Sequence, residues 1–251
     1  MAPTGSKWRL DRPAEGLDAD PTGATSGRPS PMCRTLVPDN YEPRYPYPCL
    51  VLFHAHGGNE DEVLELAGQL NRRNYVVVSI RGPQMLGLRP DGSLACGWGH
   101  DDTYTDLINE HVFNAVQSVR RSCHIHSERV FLLGMCEGAT AAYRSAFALS
   151  EKLGGVIALN GTLPRIVGGA PLFRPSAPRG LPIFVGHGIA NAMIPFATAS
   201  KDYKLLYAAG ANVSLNRYPT NNRVHPDMLR DVNRWVIDQI SEESGRFAKS
   251  G

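Results

Sequence analysis

The stretch LLGMCEGATAAY, residues 132–143, passes from apolar residues through Gly134, Met135, Cys136, Glu137 and Gly138 into small residues that suit a helix. A cysteine flanked in this way, at the junction of a strand-like and a helix-like segment, is placed for nucleophilic chemistry. The glycines permit a tight turn that lifts the side chain clear of the backbone. A free thiol ordinarily titrates near 8.5, and a nearby histidine together with a helix N-terminus draws it well below 7, giving a thiolate before substrate arrives.

The flanking segments read as the scaffold such a nucleophile needs. CLVLFH (49–54), YVVVSI (75–80), RVFLLG, GVIALN (155–160), PIFVGH (182–187) and VSLNRY (213–218) are short apolar runs of the kind that form buried strands. Between them lie helical patterns. DEVLELAGQLNRR places Val63, Leu66, Ala67 and Leu70 on one face, a helix near 105–120 carries Ile108, Val112, Val116 and Val119, and another is expected near 197–209. A closing helix shows Met228, Val232, Trp235, Val236 and Ile240 at helical spacing. Strands alternating with helices of this length require right-handed crossovers and a mainly parallel sheet, so the expected fold is an α/β three-layer sandwich. Ligands of such sheets sit outside the carboxyl ends of the strands. The loops at 54–60, 81–103, 134–138, 160–181, 187–196 and 218–226 are therefore expected to carry the chemistry.

At 251 residues the chain suits one sizeable domain. Its formal charge of +2, from 26 basic and 24 acidic side chains, provides no field for binding nucleic acid or an anionic membrane. No apolar run is long enough to span a bilayer, and the N-terminus lacks the pattern of a secretory signal. Residues 1–31, rich in proline, glycine and serine, read as a disordered tail, 32–242 as the domain and 243–251 as a flexible end. Five cysteines at irregular spacings fit neither a disulfide framework nor a zinc pattern, which suggests a reducing, cytoplasmic setting.

Taken together, YPCLVLFHAHGGNEDEVLELAGQL, RVFLLGMCEGA, GGVIALNGTLP, PIFVGHGIANAMIP and LLYAAGANVSLNRYP resemble the phospholipase/carboxylesterase branch of the α/β-hydrolases, over roughly residues 35–240. That branch includes acyl-protein thioesterases and has dienelactone hydrolases, with their Gly-x-Cys-x-Gly elbow, as relatives. The resemblance implies a triad in the chain order nucleophile, orienter, base: Cys136, Asn191 and His225. It implies oxyanion donors at the backbone N–H groups of His56 and Glu137. Three residues depart from the family pattern. Cysteine replaces serine, Asn191 replaces an aspartate, and His54-Ala55 replaces a His-Gly pair. In a serine triad an amide in place of the carboxylate costs ~10⁴ in rate, whereas Cys-His-Asn sites work with one. The combination points to a cofactor-independent hydrolase of esters, lactones or thioesters that forms an acyl-cysteine intermediate. An inactive hydrolase-fold binding protein and an acyltransferase are the alternatives, and a homo-oligomer is compatible with either.

Around this set, Trp98, Met85 and Leu163 are candidates to contact a small acyl substrate, with Leu86, Leu88, Ile166, Leu172 and Phe173 nearby in sequence. His100, Asp101 and Asp102 are placed to touch a polar substrate group or to lie in a solvated loop. Asn160 is a substitute orienter, Asp227 a helix cap and His187 a structural residue at a strand end. His54-Ala-His56 with Asp61, and His124-Ile-His126, have the spacing of metal-binding pairs but lack further ligands, so no metal or other cofactor is expected.

Overall fold

In a computed structural model, which describes residues 10–11, 33–70, 73–165, 173–174 and 176–247, the apolar runs form the strands of one sheet. Its central members are β3 (Tyr47–Phe53), β4 (Val76–Ile80), β7 (Ile125–Met135), β8 (Gly155–Leu159), β9 (Pro182–Gly188) and β10 (Asn212–Tyr218). With β1 (Leu10–Asp11) and β2 (Cys33–Leu36) the order is β1-β2-β4-β3-β7-β8-β9-β10. The six central strands pair in parallel, and β2 joins β4, and β1 joins β2, antiparallel. The strands β1 and β2 were not evident in the sequence. Both are short, and Leu10–Asp11 falls within the segment read as a tail, whose remainder lies outside the described residues.

Side chains alternate across the sheet and build two cores. Along β3, Cys49, Val51 and Phe53 face one core, with α2 (Asp102–Ser122), α3 (Glu137–Leu149) and α4 (Phe196–Ala208) packed on it. Leu50 and Leu52 face the other, covered by α1 (Glu60–Leu70) and α5 (Pro226–Phe247). The result is the expected α/β three-layer sandwich. The closing helix continues beyond residue 242, into the segment read as a flexible end. No helix among the described residues is long and apolar enough to cross a membrane.

The region 81–103, read as a loop, contains a hairpin of β5 (Gln84–Leu88) and β6 (Leu94–Gly97). Its strands expose Met85, Leu86 and Leu88, so no apolar alternation marks them. Its turn is held by Asp91 Oδ1, which accepts from the Ser93 N–H at 2.9 Å, and by Gly92 at φ 81°.

Three imidazoles are built into this frame as neutral groups. His54 and His187 are buried, and His111 is half-buried; in each, burial lowers the pKa below the ordinary imidazole value. Unfolding returns them to about 6.5. Between the folded and unfolded values the unfolded chain binds more protons, so stability is complete above about pH 6.5 and declines as pH falls through and below it. Thermal melts are expected to show a flat Tm above neutrality and a clear decrease by pH 5. A Tm that is equal at pH 7.5 and pH 5 would contradict this.

Candidate active site

Strand β7 delivers the chain to Cys136 and α3 carries it away. Between them Cys136 adopts φ 52°, ψ −118°, a conformation that costs a non-glycine residue of order 1–3 kcal/mol. Two contacts hold the turn. The Cys136 N–H donates to Leu159 O at 2.9 Å, extending the pairing with β8, and the Ala139 N–H donates to Cys136 O at 3.1 Å. The flanking glycines are required by space: a Cβ on Gly138 would meet the carbonyls of Phe53 and His54, and one on Gly134 would meet the backbone of Gly138. The elbow read from the sequence is therefore present, with the sulfur above the carboxyl ends of β7 and β8.

The loop after β3 lies beside it. His54 is fully buried, accepts from the Gly82 N–H through Nε2 at 2.9 Å and donates from Nδ1 to Ala55 O at 2.8 Å. With both ring nitrogens occupied, it is not paired with His56 as a metal ligand. The loop is pinned on either side of His56 by hydrogen bonds from Gly57 N–H to Cys96 O and from Gly58 N–H to Ala55 O, each 2.9 Å. The Asn59 carboxamide accepts from the N–H groups of Asp61 and Glu62 and so caps α1. Glu137 opens α3, where the first N–H groups have no intrahelical acceptor.

The third partner of the sulfur differs from expectation. Cys136 Sγ–H donates to Asn222 Oδ1 at 3.3 Å, and Asn191 Nδ2 donates to that same oxygen at 3.1 Å. Asn191 is buried, and its own oxygen accepts from the N–H groups of Met193 and Ile194 at 3.1 and 3.0 Å. Asn222 thus stands between Cys136 and Asn191, where His225 was expected. The Nδ1 of His225 instead accepts from the Asp227 N–H at 3.2 Å and lies 3.7 Å from the Asp227 carboxylate. In this arrangement Cys136 and Asn191 are brought together and His225 is not joined to them by a hydrogen bond.

The path of the loop supplies the reason. Asn160, itself at φ 54°, donates from Nδ2 to Arg223 O at 3.1 Å and accepts the Gly188 N–H through Oδ1 at 2.9 Å. It clamps the loop after β10 to the end of β9, which aims residue 222 at the sulfur and leaves 225 at the start of α5. Asn160 is thereby a clamp and not an orienter. The electrostatic consequence falls on the thiol: burial pushes Cys136 up, and the hydrogen bond to Asn222 only partly offsets this. The resting sulfur is a thiol, not half of a thiolate–imidazolium pair.

The expected substrate contacts separate in the structure. Trp98 and Leu163 are each 1% exposed and belong to the core. The Trp98 indole N–H donates to His54 O at 2.9 Å, and the Leu163 N–H donates to the Asp202 carboxylate at the same distance. Met85, 73% exposed, projects from the hairpin. Ile166 and Leu172 lie outside the described residues. Asp101 caps α2 through the Tyr104 N–H. Buried Arg144, which the sequence did not single out, holds that loop by donating to Gly99 O at 2.6 Å and to Thr105 Oγ1. One contact near the elbow was likewise unforeseen: Glu137 Oε2 meets His56 Nδ1 at 2.8 Å, with His100 Nε2 3.9 Å from Oε1.

Comparison with known proteins agrees with this architecture. The profile of the family described as Phospholipase/Carboxylesterase matches residues 43–239. Acyl-protein thioesterase 1 of Debaryomyces hansenii is 29% identical over 143 residues, covering 56% of this chain and 58% of that protein. Acyl-protein thioesterase 1 of Gibberella zeae is 23% identical over 143 residues, covering 56% and 61%. The match thus spans about three-fifths of these curated relatives. Among solved structures, a Bacillus cereus carboxylesterase superposes with TM-score 0.64 at 19% identity, covering 84% of this chain and 96% of that one. A phospholipase/carboxylesterase from Dyadobacter fermentans gives TM-score 0.59 at 17% identity, covering 83% and 97%. At these identities the solved structures speak to the fold.

Proposed function

We propose, on the premise that this chain belongs to the phospholipase/carboxylesterase family, that it is a hydrolase of carboxylic esters or thioesters acting through Cys136. The observation that carries this reading is the strained elbow. A non-glycine residue held at φ 52° costs free energy, and here it sets a sulfur where the start of α3 and the His54–Gly58 loop converge. Cys136 attacks the acyl carbon, the backbone N–H groups of His56 and Glu137 receive the developing oxyanion, and water releases the acyl group. Asn191, through Asn222, fixes the direction of the sulfur. His225 serves as base only if its ring leaves Asp227 and Asn222 yields its place. The acyl-protein thioesterase relatives favour thioesters among the substrates.

A second reading, a hydrolase-fold protein that binds an acyl ligand without turning it over, is favoured by the amide of Asn222 against the sulfur. The two separate on turnover of p-nitrophenyl butyrate and of a butyryl thioester by wild type and Cys136→Ala. The hydrolase reading expects turnover above background that is lost in the variant. Equal background rates for both proteins would leave only the binding reading.

A further inference from the structure

If Asn222 occupies the base slot, proton transfer needs another carrier, and an imidazole is bonded to the side chain of the residue that follows Cys136. We infer that the Glu137–His56 pair is the acid–base device of this site, with His56 as the catalytic residue and Glu137 as the residue that positions its ring. The inference rests on the hydrolase reading of Cys136 given above.

Glu137 follows the nucleophile directly in the chain, and its side chain is only 14% exposed. Its Oε2 holds His56 Nδ1 at 2.8 Å. A carboxylate bonded to one ring nitrogen fixes the tautomer and turns the other nitrogen outward, which is the relation between the acid and the histidine of a catalytic triad. Among the described residues His56 Nε2 has no hydrogen-bond partner, and the side chain is 65% exposed. The ring therefore stands at the mouth of the site rather than inside the core. Under the hydrolase reading His56 and Glu137 also supply the two oxyanion N–H groups, and their side chains would then flank the reacting carbonyl.

The proton balance closes on this pair. Nε2 takes the proton of Cys136 Sγ–H, directly or through one water, as sulfur bonds to the acyl carbon. The bond from that carbon to the leaving oxygen or sulfur then breaks with its electron pair, and Nε2 returns the proton to the leaving atom. In the second half Nε2 removes a proton from water as the water oxygen bonds to the acyl carbon. The S–C bond breaks, and the same proton restores the thiol.

Such a role has a signature that a structural role lacks. A p-nitrophenolate departs without help, whereas an alkoxide must be protonated as it leaves. The test compares kcat/KM, which reports acylation, for p-nitrophenyl butyrate and ethyl butyrate in wild type, His56→Asn and Glu137→Gln, with acyl-Cys136 followed by intact mass. His56→Asn keeps its backbone N–H and changes an exposed side chain. It is expected to lower the ethyl ester about 10²–10³-fold and the aryl ester only about 10-fold. Glu137→Gln is expected to show a smaller loss with the same bias, and the double variant to be no worse than His56→Asn, since residues that act as a unit are not additive. Equal losses on both esters, no loss, or the bias appearing in His225→Asn instead would overturn the inference while wild-type acylation keeps the hydrolase reading. Absence of acyl-Cys136 in wild type would overturn both.

Discussion

The double variant Asn191→Asp, Asn222→His is expected to alkylate at Cys136 with iodoacetamide ~10-fold or more faster than wild type at pH 7. Ester hydrolysis is expected to rise by up to ~10²-fold, the lower end of what a positioned acid–base group contributes, because the Glu137–His56 pair already carries part of that role. In the present structure the Asn222 oxygen receives two donors, the Cys136 thiol and the Asn191 amide, and burial keeps the sulfur neutral with no imidazole hydrogen-bonded to it. A histidine at 222 can take the thiol proton only with its proton-bearing nitrogen turned to residue 191. Asn191 offers that ring a donor, because its oxygen already accepts from Met193 and Ile194. Asn222→His alone is therefore expected to adopt the wrong tautomer and to gain little, as amide-for-carboxylate changes do in serine triads. Aspartate at 191 accepts instead and completes the pair. An Asn222→His single variant as reactive as the double would show that the orientation of the Asn191 amide does not govern the site. Alkylation rates, with peptide mapping to assign Cys136, read the outcome.

Cys136→Ser is the second large effect. With sulfur the step begins from an acidic nucleophile; with oxygen it begins from a hydroxyl that needs both an imidazole and a carboxylate behind it. Neither is hydrogen-bonded to position 136 in the structure. The serine variant is expected to lose ~10⁴ in turnover and to match Cys136→Ala within error. Serine activity within ~10-fold of wild type would mean that the site already supplies a base strong enough to activate a hydroxyl, so that sulfur is not required at residue 136. The fold should be unaffected, because the elbow is held by backbone contacts and by Gly134 and Gly138 rather than by the sulfur.

How far the sequence reaches is clearest around the elbow. Gly-x-Cys-x-Gly between an apolar run and a small-residue helix specified the turn, because only glycine fits against the carbonyls of Phe53 and His54. The buried parallel strands were legible for a related reason. Having both faces covered, they read as continuous apolar runs, while the exposed hairpin of β5 and β6 did not. The loop after β10 was opaque. YPTNNRVHPDM offers one histidine, and the chain order of the family's triad assigns it as the base. Which of these residues meets the sulfur is decided by Asn160 clamping Arg223 O from a distant strand end, and no local spacing encodes that contact. The Glu137–His56 bond was hidden in the same way, since it joins the two loops that the sheet brings together. Trp98 and Leu163 show the converse. Apolar residues in loops over a site are as readily its foundation as its lining, and their burial assigns them to the foundation.

The most direct measurement is the intact mass of the wild-type protein milliseconds to minutes after mixing with p-nitrophenyl butyrate, followed by peptide mapping. A transient gain of one butyryl group at Cys136, absent from Cys136→Ala and from the other four cysteines, is the expected result. An unmodified Cys136 throughout, or butyryl spread evenly over the accessible thiols, would contradict nucleophilic catalysis at the elbow.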